Sequence, residues 1–182
     1  NFKTNWYLTR ATVTANELSL KEALRAGGVA PNPWVDMSTD AKISVSGPLQ
    51  PLKLDGTFRL DGRDFRVGDR SVEDPDVVDS LVLPDALAEG LLTLDKRHIL
   101  LTVQNVVTGK TQGSGSVDIG FKPEGPLDIS VDLPKANLGD FGPLGGAKLR
   151  GTGAVKGRIW GPFKRIQMLG HGTFTDFSST NI

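Results

Sequence analysis

The sequence predicts an all-β fold, an elongated antiparallel sheet with one or two short helical segments, and three observations predict it. Apolar and polar residues alternate in several runs, most cleanly where Leu127, Ile129, Val131 and Leu133 are separated by Asp128, Ser130 and Asp132. That period of two is the mark of a strand with one dry and one wet face. The 22 glycines and 11 prolines break the apolar runs into short pieces, at the spacing of roughly 8 to 12 residues expected of antiparallel β structure. Finally, one unit occurs twice, as ISVSGPLQPLKLDGTFRL in residues 43–60 and IWGPFKRIQMLGHGTFTDF in residues 159–177.

In each copy of that unit a short apolar strand ends at a Gly-Pro pair, Gly47 and Pro48 or Gly161 and Pro162, and a new strand opens on Leu49 or Phe163. Leu52 and Leu54 correspond to Ile166 and Met168, and Gly56 to Gly170, at a constant offset (161 − 47 = 114). After the glycine the second copy inserts two residues before its own Gly172, Thr173 and Phe174. Self-similarity of this kind marks repeat architectures, whose units bury their apolar faces by stacking on neighbours. The chain is accordingly one repeat-built segment over residues 1–182, with approximate units at 15–60 and 136–177.

Taken in order, residues 6–15 mix β-branched and aromatic residues with polar ones and suit a half-buried strand. Ser19 followed by Glu22 forms a capping-box pattern, with Leu20 and Leu24 behind it and Gly27 and Gly28 as the stop, so a short helix is expected there. Pro31 and Pro33 make a loop, and Trp34 leads into the first Gly-Pro unit. Alternation through Phe65 and Val67 breaks in the acidic run 72–80. In LVLPDALAEGLLTLD a strand, a turn around Pro84 and Asp85 and a second strand from about Gly90 are expected, with a short helix over 85–89 as the alternative. Residues 98–107, HILLTVQNVV, are the most β-prone run and apolar on both sides in places. Val117, Ile119 and Phe121 then point one way in the following strand. ANLGDFGPL at 136–144 parallels ANELSLKEAL at 15–24, so a short apolar, helical segment is expected before each Gly-Pro unit.

Composition excludes several functions. Lysines plus arginines equal aspartates plus glutamates at 21 each, so no net field attracts nucleic acid or an anionic membrane surface. With no cysteine there is no disulfide scaffold, thiol nucleophile or thiolate-bound zinc. No run approaches the roughly 18 apolar residues of a membrane helix. His98 and His171 read as polar strand-edge residues, unpaired for metal binding. The TGKT at 108–111 lacks the earlier glycine of a phosphate loop, which is Gln104 here, and precedes a strand, so it is a hairpin turn. Gly151, Gly153 and Gly157 have the wrong spacing for a dinucleotide fingerprint. Glu73, Asp74, Asp76 and Asp79 lack the glycine and alternation of a calcium loop and read as a solvated acidic loop. No catalytic residue, metal site or cofactor is assigned, and the chain is expected not to be an enzyme.

The series of short apolar segment, strand, Gly-Pro-apolar, alternating strand, glycine and Gly-Thr-Phe, seen at ISVSGPLQPLKLDGTF and GRIWGPFKRIQMLGHGTF, resembles the periplasmic repeats of the TamB and AsmA-like proteins of diderm bacteria. Residues 62–135 share the family's texture rather than a motif. The resemblance implies a U-shaped sheet, a β-taco, with an apolar concave face. It implies a periplasmic location in a parent anchored in the inner membrane, and a role in carrying phospholipid toward the outer membrane or assembling outer-membrane proteins with a TamA-like barrel partner. The abrupt strand-like ends at Asn1 and Ile182 then read as a piece of a longer span.

An uncovered dry face in a chain with few helix-forming segments folds onto itself or meets an apolar ligand, and phospholipid acyl chains are the ligand expected here. The expected lining is Ile43, Val45, Leu52, Leu54, Phe58, Leu101, Val103, Val117, Ile119, Phe121, Leu127, Ile129, Val131, Ile166, Met168 and Phe174. The same periodicity fits a closed core, since it identifies a face and not its cover. Two other functions stay open at this point: a β-sandwich adhesion or carbohydrate-binding module presenting Trp6, Trp34 or Trp160, and a β-solenoid spacer with a filled interior.

Overall fold

The computed structural model describes residues 6–19, 21–22, 34–68, 79–121, 126–144, 147–162, 165 and 167–181. They form one antiparallel sheet. Its strands are β1 (Tyr7–Ser19), β2 (Trp34–Pro48), β3 (Lys53–Gly68), β4 (Asp79–Asp95), β5 (His98–Thr108), β6 (Thr111–Gly120), β7 (Pro126–Asn137), β8 (Pro143–Leu144), β9 (Ala147–Pro162) and β10 (Gln167–Asn181). Spatial order follows chain order from β1 to β7, then β9 and β10, with the two-residue β8 beside β9. The sheet is an up-and-down meander built by local hairpins. β1 and β10 lie at its opposite ends, so it is open rather than closed into a barrel.

The expected break at Pro84 is absent: residues 79–95 are one continuous strand. The β4–β5 pairing begins only at Leu87, and β3 pairs with Leu83 and Asp85 while skipping Pro84. The proline therefore sits where no ladder bond needs its missing N–H, the placement at which a strand tolerates it. Nor does Gly90 interrupt β4, because it is paired on both sides, to Phe58 and to Val103. The helical segment expected over 136–144 shrinks to a 3-10 turn, Leu138–Phe141, between β7 and β8. Asn137 caps it, its side-chain oxygen accepting from the Gly139 N–H. Of the other expected helix only Lys21 and Glu22 are described, and both are helical, with the Ser19 hydroxyl accepting from the Glu22 N–H as a cap does. The acidic residues Glu73, Asp74 and Asp76 lie outside the described residues.

The 3-10 turn fills a notch. The β5–β6 hairpin ends at Thr108 and Thr111, whereas β4 and β9 run on past it. Into that gap come Leu138, which is buried, and Gly142, which packs against Val82 of β4. Asp140 then clamps the hairpin tip: its carboxylate accepts from the Lys110 N–H and from the Thr111 hydroxyl, each at 2.8 Å. The Thr111 hydroxyl in turn accepts from the Asn137 N–H. Gly109 at the tip has φ +55 and faces the Asp140 carboxylate where a side chain would stand, so both its backbone and its surroundings require glycine.

Both copies of the Gly-Pro unit end one strand and open the next at corresponding positions. β2 ends on Gly47 and Pro48 and β3 starts at Lys53; β9 ends on Gly161 and Pro162 and β10 starts at Gln167. Gly47 and Gly161 share positive φ, +143 and +115. The hairpins differ in register by two residues, since Val45 faces Gly56 while its counterpart Ile159 faces Met168, the counterpart of Leu54. A shift of two leaves every side chain on its own face, which is how the units stay equivalent despite unequal lengths.

No second layer lies on this sheet among the described residues. The chain exposes 12343 Å², where size scaling gives about 8,500 Å² for a compact protein of its mass. A sandwich or a filled solenoid would hide that surface.

Candidate functional site

The register assembles one continuous apolar face. A single cross-strand row runs Ala11, Val45, Gly56, Leu92, Leu101, Val117, Ile129, Ile159 and Met168, from one edge of the sheet to the other. The adjacent row runs Val13, Ile43, Phe58, Gly90, Val103, Gly115, Val131, Gly157 and Gly170. A third begins at Leu54 and passes through Leu94, Ile99, Ile119 and Leu127 to Gly161. None of these rows contains a polar side chain. Alternation within each strand supplies the residues, and in-register hairpins join them into a surface.

Of the sixteen residues expected to line that face, the register places Ile43, Val45, Leu54, Phe58, Leu101, Val103, Val117, Ile119, Leu127, Ile129, Val131, Met168 and Phe174 on it. Leu52 is instead in the β2–β3 turn, bridged to Leu49. Phe121 lies just past the end of β6, exposed, its N–H donating to the Arg97 carbonyl. Ile166 lies outside the described residues.

Several members of the face were missed from the sequence. Leu92 and Leu94 were obscured because Leu91 and Leu92 are both apolar, and a doublet hides which one faces in. In β9 the signal was present: Gly151, Gly153, Val155, Gly157 and Ile159 are half-buried and alternate with exposed Thr152, Ala154, Lys156 and Arg158. Counting glycine as a face residue recovers the period.

The glycines shape the surface. Gly157 and Gly170 pair directly, and around them Ile129, Val131, Val155, Ile159 and Met168 border a hollow of about 340 Å³ near the β10 edge. At Gly170 an added Cβ would meet only ordinary contacts. Met168 is 74% exposed, so the hollow opens toward solvent along the last strand.

The opposite face is largely hydroxyls and charges. Thr12, Ser44, Thr57, Leu91, Thr102, Ser116, Ser130 and Arg158 form its central row. Cross-strand ion pairs join Arg59 to Glu89, Arg63 to Asp40, Lys156 to Asp132 and Arg158 to Asp128. Arg158 binds Asp128 through two hydrogen bonds, 2.9 and 2.6 Å, and holds its carboxyl below the usual carboxylate range. The same guanidinium lies 5.4 Å from the centre of the Trp160 ring, so this tryptophan's face is already occupied by a cation. Asp95 is also lowered, first by the Arg97 backbone N–H and then by that of His98.

His98 touches Asp118 at 2.8 Å and Asp95 at 3.5 Å at the β4–β5 turn, an arrangement that ties β4, β5 and β6 together. Among the described residues no three His, Asp or Glu side chains gather to hold a metal, and no helix is long and apolar enough to cross a membrane. TGKT is the hairpin turn expected of it, closing β5 onto β6. Comparison of the chain with family models, curated proteins and solved structures returns no match.

Proposed function

We propose that this chain is a segment of a phospholipid-conducting groove, its sheet curling into a U around acyl chains that lie on the apolar face. The observation that carries the proposal is the pair of unbroken apolar rows that cross nine strands, with no protein layer upon them among the described residues. An apolar face of that extent without a covering layer among the described residues marks an interaction site. Each buried methylene of a bound chain contributes roughly 0.8 kcal/mol. Because neighbouring strands offer equivalent apolar rows, a lipid can slide across them without a specific site. In the fuller form of the proposal the segment belongs to a parent anchored in the inner membrane, which carries lipid across the periplasm or assists outer-membrane protein assembly with a barrel partner.

The test is gentle purification from a bacterial host, native mass spectrometry and lipid extraction, for the wild type, an Ile129→Asp/Val131→Asp variant and a Ser130→Asp control on the opposite face. Retained phospholipid that is lost in the first variant and kept in the control supports the groove. An uncovered face tolerates the aspartates because water reaches them, so that variant is expected to fold. Its failure to fold, together with no lipid on the wild type, would mean a closed core and overturn the proposal.

A further inference from the structure

The polar face carries a hollow of its own, at a β-bulge in β5. Gly90 of β4 pairs with Val103 and Glu89 with Asn105, while on the other side Gly115 pairs with Val103 and Gly113 with Val106, so β5 has one residue more than either neighbour. Plain alternation would turn Asn105 to the apolar face and Val106 to the polar one. The bulge instead keeps Val106 in line with Ala88 and Gly113. It also sets Asn105 beside Gln104 on the polar side, where both border a space of about 340 Å³. Bulges re-aim side chains in this way next to functional sites. The neighbouring strands complete the wall: β2 supplies Lys42 and Ser44, β3 Thr57 and Arg59, and β4 Glu89.

We propose that this hollow binds a phosphate group. Its charges call for an anion. Lys42 lies directly opposite Arg59, and like charges so placed repel. Glu89 answers only one of them: its carboxylate pairs with Arg59 at 3.2 Å, while Lys42 has no ion-pair or hydrogen-bonding partner among the described residues. The donor set suits a tetrahedral anion. A planar carboxylate is best met by a guanidinium fork, and the guanidinium at this hollow is already engaged with Glu89. What remains is a point-charge ammonium with separate donors from three strands, the Ser44 and Thr57 hydroxyls and the carboxamides of Gln104 and Asn105. Asn105 gives one side-chain N–H to Glu89, at 3.3 Å, and keeps the other. The site lies on the face opposite the apolar rows and does not depend on what they bind.

The test is an amide NMR titration of the wild type with inorganic phosphate at constant ionic strength, with sodium chloride as the blank. Saturable shifts are expected at Thr57, Gln104 and Asn105. Lys42 is exposed, so Lys42→Gln folds, and it should weaken binding at least about tenfold, the scale of one lost hydrogen bond to a charged group. Lys53→Gln, on the same face of β3 as Arg59 but outside the hollow, should leave the affinity unchanged. Phosphatidylglycerol vesicles that sediment with the wild type and not with Lys42→Gln would identify the phosphate as that of a lipid headgroup; binding of inorganic phosphate without such sedimentation identifies a free phosphate. Phosphate shifts that match the chloride blank overturn the proposal, as does a Lys42→Gln variant that binds phosphate as the wild type does.

Discussion

Phe58 of β3 and Gly90 of β4 face each other directly across the apolar side, and Phe58 is only 4% exposed on a face that has no second layer among the described residues. The bare glycine leaves room for the aromatic ring, while on its other flank Gly90 is held against the Thr102 backbone carbonyl, where a Cβ would collide. Large side chains beside glycines are how this one-layer sheet shields part of its own surface.

Gly90→Ala is therefore expected to lower stability by about 2 kcal/mol, because backbone rather than a flexible side chain must move. Phe58→Ala should cost about 3 kcal/mol, the low end for truncating a buried aromatic. Urea unfolding of both variants measures this, and an unchanged midpoint for Gly90→Ala would contradict the close approach of β4 and β5.

At the other end of the hairpin, Asp140→Ala removes the acceptor of Lys110 and Thr111 together. Thr111 is 1% exposed, so its hydroxyl loses a partner that water does not readily replace, at about 2 kcal/mol. Amide exchange locates the effect: the Lys110 N–H should lose protection while amides in the centre of β6 keep theirs.

The Asp128–Arg158 pair sets an acid limit. A carboxyl held below its ordinary pKa of 3.8 contributes stability that is present above that value and lost as pH falls through the lowered one. Carboxyl titration by NMR should place the Asp128 midpoint below 3.8, and Arg158→Gln should return it to the ordinary range. An unmoved midpoint in that variant would show that the guanidinium is not the cause.

Gly170→Val tests the hollow at the β10 edge. Its Cβ meets only ordinary contacts, so the variant is expected to unfold within about 0.5 kcal/mol of the wild type, as at other unstrained exposed positions. The added side chain occupies part of the 340 Å³ space, and the lipid retained per chain should fall. Retention equal to the wild type would show that acyl chains lie elsewhere on the face.

How much was legible in advance varies along the chain for physical reasons. β7 announced itself, since Leu127, Ile129, Val131 and Leu133 alternate with Asp and Ser; a period of two is a local property and needs no partner to be seen. β4 was misread as two strands because Pro84 is an ordinary breaker, and its tolerance depends on where β5 stops, some twenty residues further along the chain. The 3-10 turn was seen as an apolar helical segment, but its place in the notch depends on the short β5–β6 hairpin beside it.

By itself, then, the sequence determined the all-β class, the dry and wet faces of its clearest strands, the hairpin at TGKT and the recurrence of the Gly-Pro unit, all of which follow from side-chain alternation and backbone restrictions within a few residues. Only the tertiary structure decided that the strands lie in chain order in a single open sheet and that their dry faces join into rows from β1 to β10. Those are relations between distant residues, set by register, and no local pattern contains them.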